Sequence, residues 1–416
     1  MNTPKSHDSQ ATTQPLVGVS VLEFSHTIMG PCAGMILADL GANVVKVEPA
    51  PGGDKTRQLR GFAAGFFATF NRNKRSLVID LKQERGQEAM HKLVETVDIV
   101  LDNYGPGTME KLGCGYEQLA GLNNKLIYLS LKGYLAGPLE DRPALDEVVQ
   151  FQSGLAYMTG PPGKPLRAGA SIVDILGATF GVIGLLAALR ERDVTNKGQR
   201  VGSALFESAA FLMASHMTGA ATTGETVPPM TARKGAWAIY DVFESSDELQ
   251  IFIGVTSDAQ WKRFCDEFDL QNLLADKRLQ TNPERTGERH WLLPKIAQVV
   301  AAYDYANLIV RCEAADVSWS PVGQPEQLWD DKQLLAGGLL DTSLATSEQA
   351  ASDFIRDSLI GIPGLPLEFG VKRSRCDLRR QPPHTGEHSR EVLLDAGIEH
   401  SVIESLLADN VIASFD

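Results

Sequence analysis

The chain has 416 residues, 43% of them apolar, which is enough to bury a sizeable core and excludes wholesale disorder. At about 150 residues per domain, that length predicts two or three domains. Its 39 Lys and Arg stand against 52 Asp and Glu, a net charge of −13. A non-specific nucleic-acid binder needs a basic surface and is disfavoured, whereas a local basic pocket for a phosphorylated small molecule is not excluded.

Residues 1–14 are polar, lack an apolar run and read as a disordered tail. From Val17 the pattern is strand, helix, strand: Val17–Ser25 is strand-like, 29–40 is a helix opened by Pro31 and ended at Gly41, and 43–48 is a strand closed by Pro49. A loop rich in Gly, Pro and charge covers 49–61. Strands follow at 75–81, 98–103 and 125–130, with a helix over 84–97 whose Ala89, Met90, Leu93, Val94 and Val97 share one face. This alternation predicts an α/β fold with a parallel, doubly wound sheet, and ligands then bind beyond the C-terminal ends of the strands. Those ends lie near His26, Glu48, Asp80, Asn103-Tyr104 and Lys132.

Long helices are expected at 144–158, 171–190 and 203–218. The most membrane-like stretch, 175–189, is shorter than the roughly 20 residues a bilayer span needs. It carries Gly177, Gly181 and Gly184 and reads as a buried helix, so no membrane is expected. Residues 220–235 suggest a linker, and 249–254 a strand that opens a smaller helical domain reaching about 315. The remainder is loop-rich and ends in a short amphipathic helix. Cys32, Cys114, Cys265, Cys312 and Cys376 form neither a metal knuckle nor a CxxC pair, and read as reduced, buried thiols of a cytoplasmic protein.

No GxGxxG after a strand, no GxxxxGK[ST], no HExxH and no GxSxG is present. The basic cluster Asn71-Arg-Asn-Lys-Arg75 reads either as a phosphate-neutralising patch or as a solvated sheet edge. Asp102-Asn-Tyr-Gly-Pro-Gly107, at a strand end, is either a ligand loop or an ordinary turn. His26 is more often structural in such a place, and His384 and His388 lack a third ligand for a metal. The carboxylates carry the candidate chemistry. Asp146 opens a helix beside Glu147 and is either a helix cap or a reactive group, while Asp174 interrupts an apolar helix and is either a satisfied structural acid or a tuned catalytic one.

Segments in order along almost the whole chain resemble the family III CoA-transferases, the group of formyl-CoA transferase, carnitine CoA-transferase and the α-methylacyl-CoA racemases. They are 22–31, 40–49 with Gly53-Asp54, 71–76 through Asp80-Leu-Lys82, 102–107, 142–150, 195–199 and 386–388. The resemblance implies a large Rossmann-like domain (15–219 and 320–416), a smaller inserted α+β domain (220–319 with linkers), and an interlocked homodimer. It implies coenzyme A, bound as a thioester substrate without a metal, in contact with Ile28, Ile79, Lys82, Asn103, Tyr104, Lys111 and Lys132. Formyl-CoA transferase has an arginine where this chain has Pro49, so that phosphate contact is lost or passes to Lys55, Arg57 or Arg60.

The resemblance also implies an aspartate nucleophile in a loop read Thr-Gly-x-Pro-Asp-Gly-Pro. Here that loop is Thr159-Gly-Pro-Pro-Gly-Lys-Pro165, and no carboxylate occurs between Glu147 and Asp174. The racemase pattern matches at Asp146 and Asp174 but has Leu145 in place of its histidine. The resulting expectation is CoA transfer between an acyl-CoA and a small carboxylic acid, with Asp146 as nucleophile and Asp174 second. A four- or five-carbon dicarboxylate would be clamped by Arg142 and Arg167. The alternatives are an acyl-CoA racemase using Asp174 and a CoA-thioester-binding protein without turnover.

Overall fold

Strands β1 (Ser20–Phe24), β2 (Asn43–Pro49), β3 (Arg75–Ile79), β4 (Ile99–Asp102), β5 (Ile127–Lys132) and β6 (Arg200–Ala204) form the parallel part of a seven-stranded sheet. The computed structural model describes residues 14–232, 235–344 and 359–415; the expected tail lies, except for Gln14, outside them. The chain divides into two units, 1–230 with 332–416, and 231–331.

The strands are near-continuous apolar runs because both faces of the sheet are covered. Side chains alternate between two cores. Val21, Val44, Ile99, Leu101, Ile127 and Leu129 enter one core, and Leu22, Val45, Val47, Leu77, Ile79 and Val100 the other. Helices α1 (Met29–Asp39), α2 (Phe66–Phe70), α3 (Glu84–Val94), α4 (Thr108–Lys111) and α5 (Tyr116–Leu122) lie between these strands in sequence. They are followed by α6 (Asp146–Gln152), α7 (Leu155–Thr159), α8 (Ile172–Thr195) and α9 (Leu205–Thr223). The single helix expected at 144–158 is two, because Gly154 takes φ +86° and breaks it.

α8 is long and apolar enough to cross a membrane by length and composition alone. Its small-residue face instead packs within the first unit, where Gly177 brings it against Met29 of α1, Gly181 against Leu131 of β5 and Gly184 against Val201 of β6. Gly34 of α1 serves the same end over the buried Glu23 carboxylate, which a Cβ there would overlap. Gly34→Ala is therefore expected to destabilise the protein by about 2–3 kcal/mol, read as a lower urea midpoint.

The 231–331 unit has its own core around Trp261, Phe264 and Ile296, under a three-stranded antiparallel sheet of β7 (Ile239–Glu244), β8 (Gln250–Val255) and β9 (Ser318–Pro321). After it, β10 (Leu339–Ser343) and β11 (Leu359–Pro363) pair antiparallel. Helices Ser389–Asp395 and His400–Ala408 lead to β12 (Ile412–Ala413), which adds antiparallel to β3. The sheet order is β12-β3-β2-β1-β4-β5-β6, a doubly wound arrangement whose order reverses between β1 and β4.

Candidate active site

Where strand order reverses, the connections leave β1 and β4 in opposite directions and open a crevice at their C-terminal ends. The cavity there measures about 320 Å³. From the β1 end it is lined by His26, Thr27 and Ile28, from the β4 end by Asn103 and Tyr104, and from the β5 end by Lys132. The Asn103 amide ties the two central strand ends together, since its Oδ1 accepts from His26 N at 3.0 Å and its Nδ2 donates to His26 O at 2.9 Å. His26 stacks on Tyr104 at 5.7 Å between ring centroids. Burial holds the imidazole below its ordinary pKa, with Asp54 opposing and Lys46 reinforcing the shift.

Asp146, Glu147 and Asp174 line the same cavity, which settles a juxtaposition that spacing alone left open. Asp146 is buried and saturated. Its Oδ2 accepts from the amides of Val173 (2.9 Å) and Asp174 (3.1 Å), and its Oδ1 from the Gln150 side chain. The amides belong to the first turn of α8, whose own N-cap makes no side-chain hydrogen bond, so Asp146 caps that helix from α6. Asp174, by contrast, receives no hydrogen bond or ion pair at its carboxylate among the described residues, and burial, then Asp146 and Glu147, push its pKa up to about 7.

Of the other residues expected to contact CoA, Lys82 and Lys111 are exposed and outside the cavity, and Ile79 is packed in the core between β2 and β12. The basic cluster is neither a phosphate patch nor a solvated edge. Arg72 pairs with Asp39 at 2.8 Å, Lys74 with Glu23 at 2.7 Å, and Arg75 with Glu391 and Asp395, all three cations being buried. Arg57 is bound to Glu48 and lies 3.7 Å over the Phe67 ring, which leaves Lys55 and Arg60 exposed on that loop.

None of residues 159–170 lines the cavity, so the missing loop carboxylate has no place in it. Arg142 lines the cavity and makes no side-chain hydrogen bond or ion pair among the described residues. Arg167 does not line it and pairs with Glu147 at 3.5 Å. Leu145, at the position of the racemase histidine, is exposed and carries no proton-transfer group.

His384 stacks on Phe415 and His388 accepts from Ser76 N, both within the structure around β3. No three His, Cys, Asp or Glu side chains converge as metal ligands among the described residues. Sequence reading missed Phe62 and Phe66, an edge-to-face pair at the cavity wall. Their signal was the glycine before each, Gly61 and Gly65, in the aromatic stretch that follows the charged loop and falls in no predicted element.

The profile of CoA-transferase family III matches residues 16–389. The succinate–glutarate CoA-transferase of Agrobacterium fabrum is 30% identical over 92% of this chain and 95% of its own. The succinyl-CoA:mesaconate CoA-transferase of Haloarcula hispanica is 31% identical over 91% and 95%. Among solved structures, a CAIB/BAIF family protein from Brucella suis superposes with a TM-score of 0.79 at 28% identity, covering 92% of this chain and all of that one. A match spanning all but the two ends of the chain, on a doubly wound sheet whose crevice gathers carboxylates, places this protein in CoA-transferase family III.

Proposed function

We propose that the protein transfers CoA from an acyl-CoA to a four- or five-carbon dicarboxylic acid, with Asp174 as nucleophile and Asp146 as the residue that positions it. The observation that carries this is the contrast between the two carboxylates. Asp146 spends its lone pairs on three donors, which lowers its reactivity, whereas Asp174 faces the cavity unpaired. This reverses the order expected from sequence.

In the reaction the ionised Asp174 oxygen attacks the thioester carbonyl and the CoA thiolate leaves, giving a mixed anhydride. The thiolate then attacks the aspartyl carbonyl, which releases the donor acid as its carboxylate and leaves an aspartyl-CoA thioester. The acceptor carboxylate displaces the thiolate from that thioester, and the thiolate attacks the acceptor's carbonyl, yielding acceptor-CoA and free Asp174. Ile28, Asn103, Tyr104 and Lys132 are the CoA contacts that the cavity supports; Ile79, Lys82 and Lys111 have no such support. Incubation with succinyl-CoA and glutarate tests the proposal. Protein trapped before acceptor is added should carry one CoA mass, mapped to the peptide containing Asp174; a label on Asp146 would overturn the assignment.

The dicarboxylate is supported by the names of the relatives and by Arg142. Around it the cavity is lined by carboxylates, so an acceptor's second carboxylate needs a cation, and Arg142 is available where Arg167 is not. Arg142→Met is expected to raise KM for glutarate by about 30-fold and to leave that for butyrate within about threefold.

The interlocked homodimer is supported by the family and by apolar side chains exposed on α6, α8 and α9, namely Phe151, Ile183, Phe211 and Met217. The smaller inserted domain corresponds in this reading to 231–331. Five free, buried cysteines support a reducing, cytoplasmic setting.

A further inference from the structure

Thr27, on the cavity wall, holds φ +66°, the left-handed region that a β-branched residue adopts only under constraint. The constraint comes from Gly53-Asp54 and the turn after it, a segment with no role in the reaction above. The buried Thr56 hydroxyl accepts from Thr27 N at 2.9 Å and donates to Asp54 Oδ1 at 2.7 Å. Asp54 is itself fixed, its amide donating to Glu48 Oε2 at 2.8 Å and its Oδ2 pairing with Lys46 at 3.0 Å. Lys46 closes the circuit by donating to Ser25 O at 2.8 Å, two residues before Thr27. Both flanks of the β1–α1 turn are thus held from one buried cluster. The turn carries His26, Thr27 and Ile28 into the cavity, with the Thr27 hydroxyl 2.8 Å from His26 Nδ1.

We propose that Thr56 is a positioning residue for CoA-thioester binding: its hydroxyl, oriented by Asp54, keeps Thr27 in its left-handed conformation and so sets the shape of the β1–α1 turn against which the thioester lies. The inference rests on the cavity being the CoA-thioester site. Without the Thr56 hydroxyl the strain at Thr27 is no longer opposed, and the turn relaxes away from the binding shape before substrate arrives. The cost falls on binding, while Asp174, on α8, keeps its chemistry.

The test is steady-state transfer from succinyl-CoA to glutarate by full-length variants. Thr56→Val is expected to raise KM for succinyl-CoA about tenfold with kcat within about threefold, and Thr56→Ser, which keeps the hydroxyl, to restore the wild-type value. A glycine at 27 takes the same φ without strain. In the Thr27→Gly background Thr56→Val should therefore move KM by less than about threefold. Equal effects of Thr56→Val in both backgrounds, failure of serine to restore KM, or loss confined to kcat would each overturn the inference. If Thr56→Val does not fold, Thr56→Ala replaces it with the same expectations. An active wild type with KM unmoved by these changes overturns this inference alone; a wild type that binds no CoA by calorimetry overturns the functional reading with it.

Discussion

Asp174→Asn is expected to lower transfer by at least about 10⁴-fold, since an amide cannot form the covalent intermediate and losing it returns several kcal/mol to the barrier. The same substitution should stabilise the protein, and the pH dependence gives the sign. Asp174 titrates near 7 in the folded chain, against an ordinary value of 3.8. A carboxyl whose folded pKa is raised favours the native state while protonated, and that advantage is lost as pH rises through the folded value. Asparagine never ionises, so the variant should exceed wild type by about 2–4 kcal/mol at about pH 8 and match it at about pH 4. Urea unfolding at the two pH values measures this. For the wild type, kcat/KM should rise tenfold per pH unit below about 7 and level above it. Equal stability of variant and wild type at both pH values would sink the buried-acid account, and residual activity within about tenfold would sink the nucleophile.

The largest expected loss of stability is at Lys74. Its ammonium lies wholly inside the first unit, 2.7 Å from Glu23 Oε2, 2.9 Å from Pro31 O and 2.9 Å from Asn71 Oδ1. Lys74→Met leaves the buried Glu23 with Lys46, at 3.4 Å, as its remaining cation among the described residues, beside the Ser25 hydroxyl that donates to it at 2.6 Å, and strips two further acceptors. Breaking one side of such a pair costs about 3–5 kcal/mol, because an uncompensated charge stays behind. Adding Glu23→Gln should recover part of the loss: the neutral amide needs no cation, and Lys46 retains Asp54 at 3.0 Å. Urea midpoints of the single and double variants decide the matter. A double variant less stable than Lys74→Met would mean that the cost comes from packing rather than charge.

The parallel strands β1 to β5 were legible because each is covered on both faces and reads as a mainly apolar, β-branched run, broken only by single polar residues such as Glu23 and Lys46. β6 and β12 were not, since Arg200–Ala204 begins exposed and contains Gly202, and Ile412–Ala413 is two residues long. The site was legible as an inventory, since Ile28, Asn103, Tyr104, Lys132, Asp146 and Asp174 all reach one cavity, which His26, read as structural, also lines. Its hierarchy was not legible. That Asp146 is saturated depends on amides 27 and 28 residues further along, which only the packing of α6 against α8 brings near. The cluster at 71–75 misled for the same reason, because its counterions Asp39, Glu23, Glu391 and Asp395 come from three distant parts of the chain.

The antiparallel edge strand β12 has a consequence for the order of assembly. β3 receives its last neighbour from Ile412–Ala413, and Arg75, Ser76 and Val78 are bound by residues 386–395. During synthesis β1 to β6 emerge first, then the whole of 231–331, and only afterwards the segment that covers β3. For that interval, at about 5–20 residues per second, the growing chain carries a strand with an unpaired edge and a buried arginine without its acids. A ribosome stalled anywhere between 232 and 384 would hold a nascent chain prone to strand-to-strand association, which residues 384–413 end by folding back.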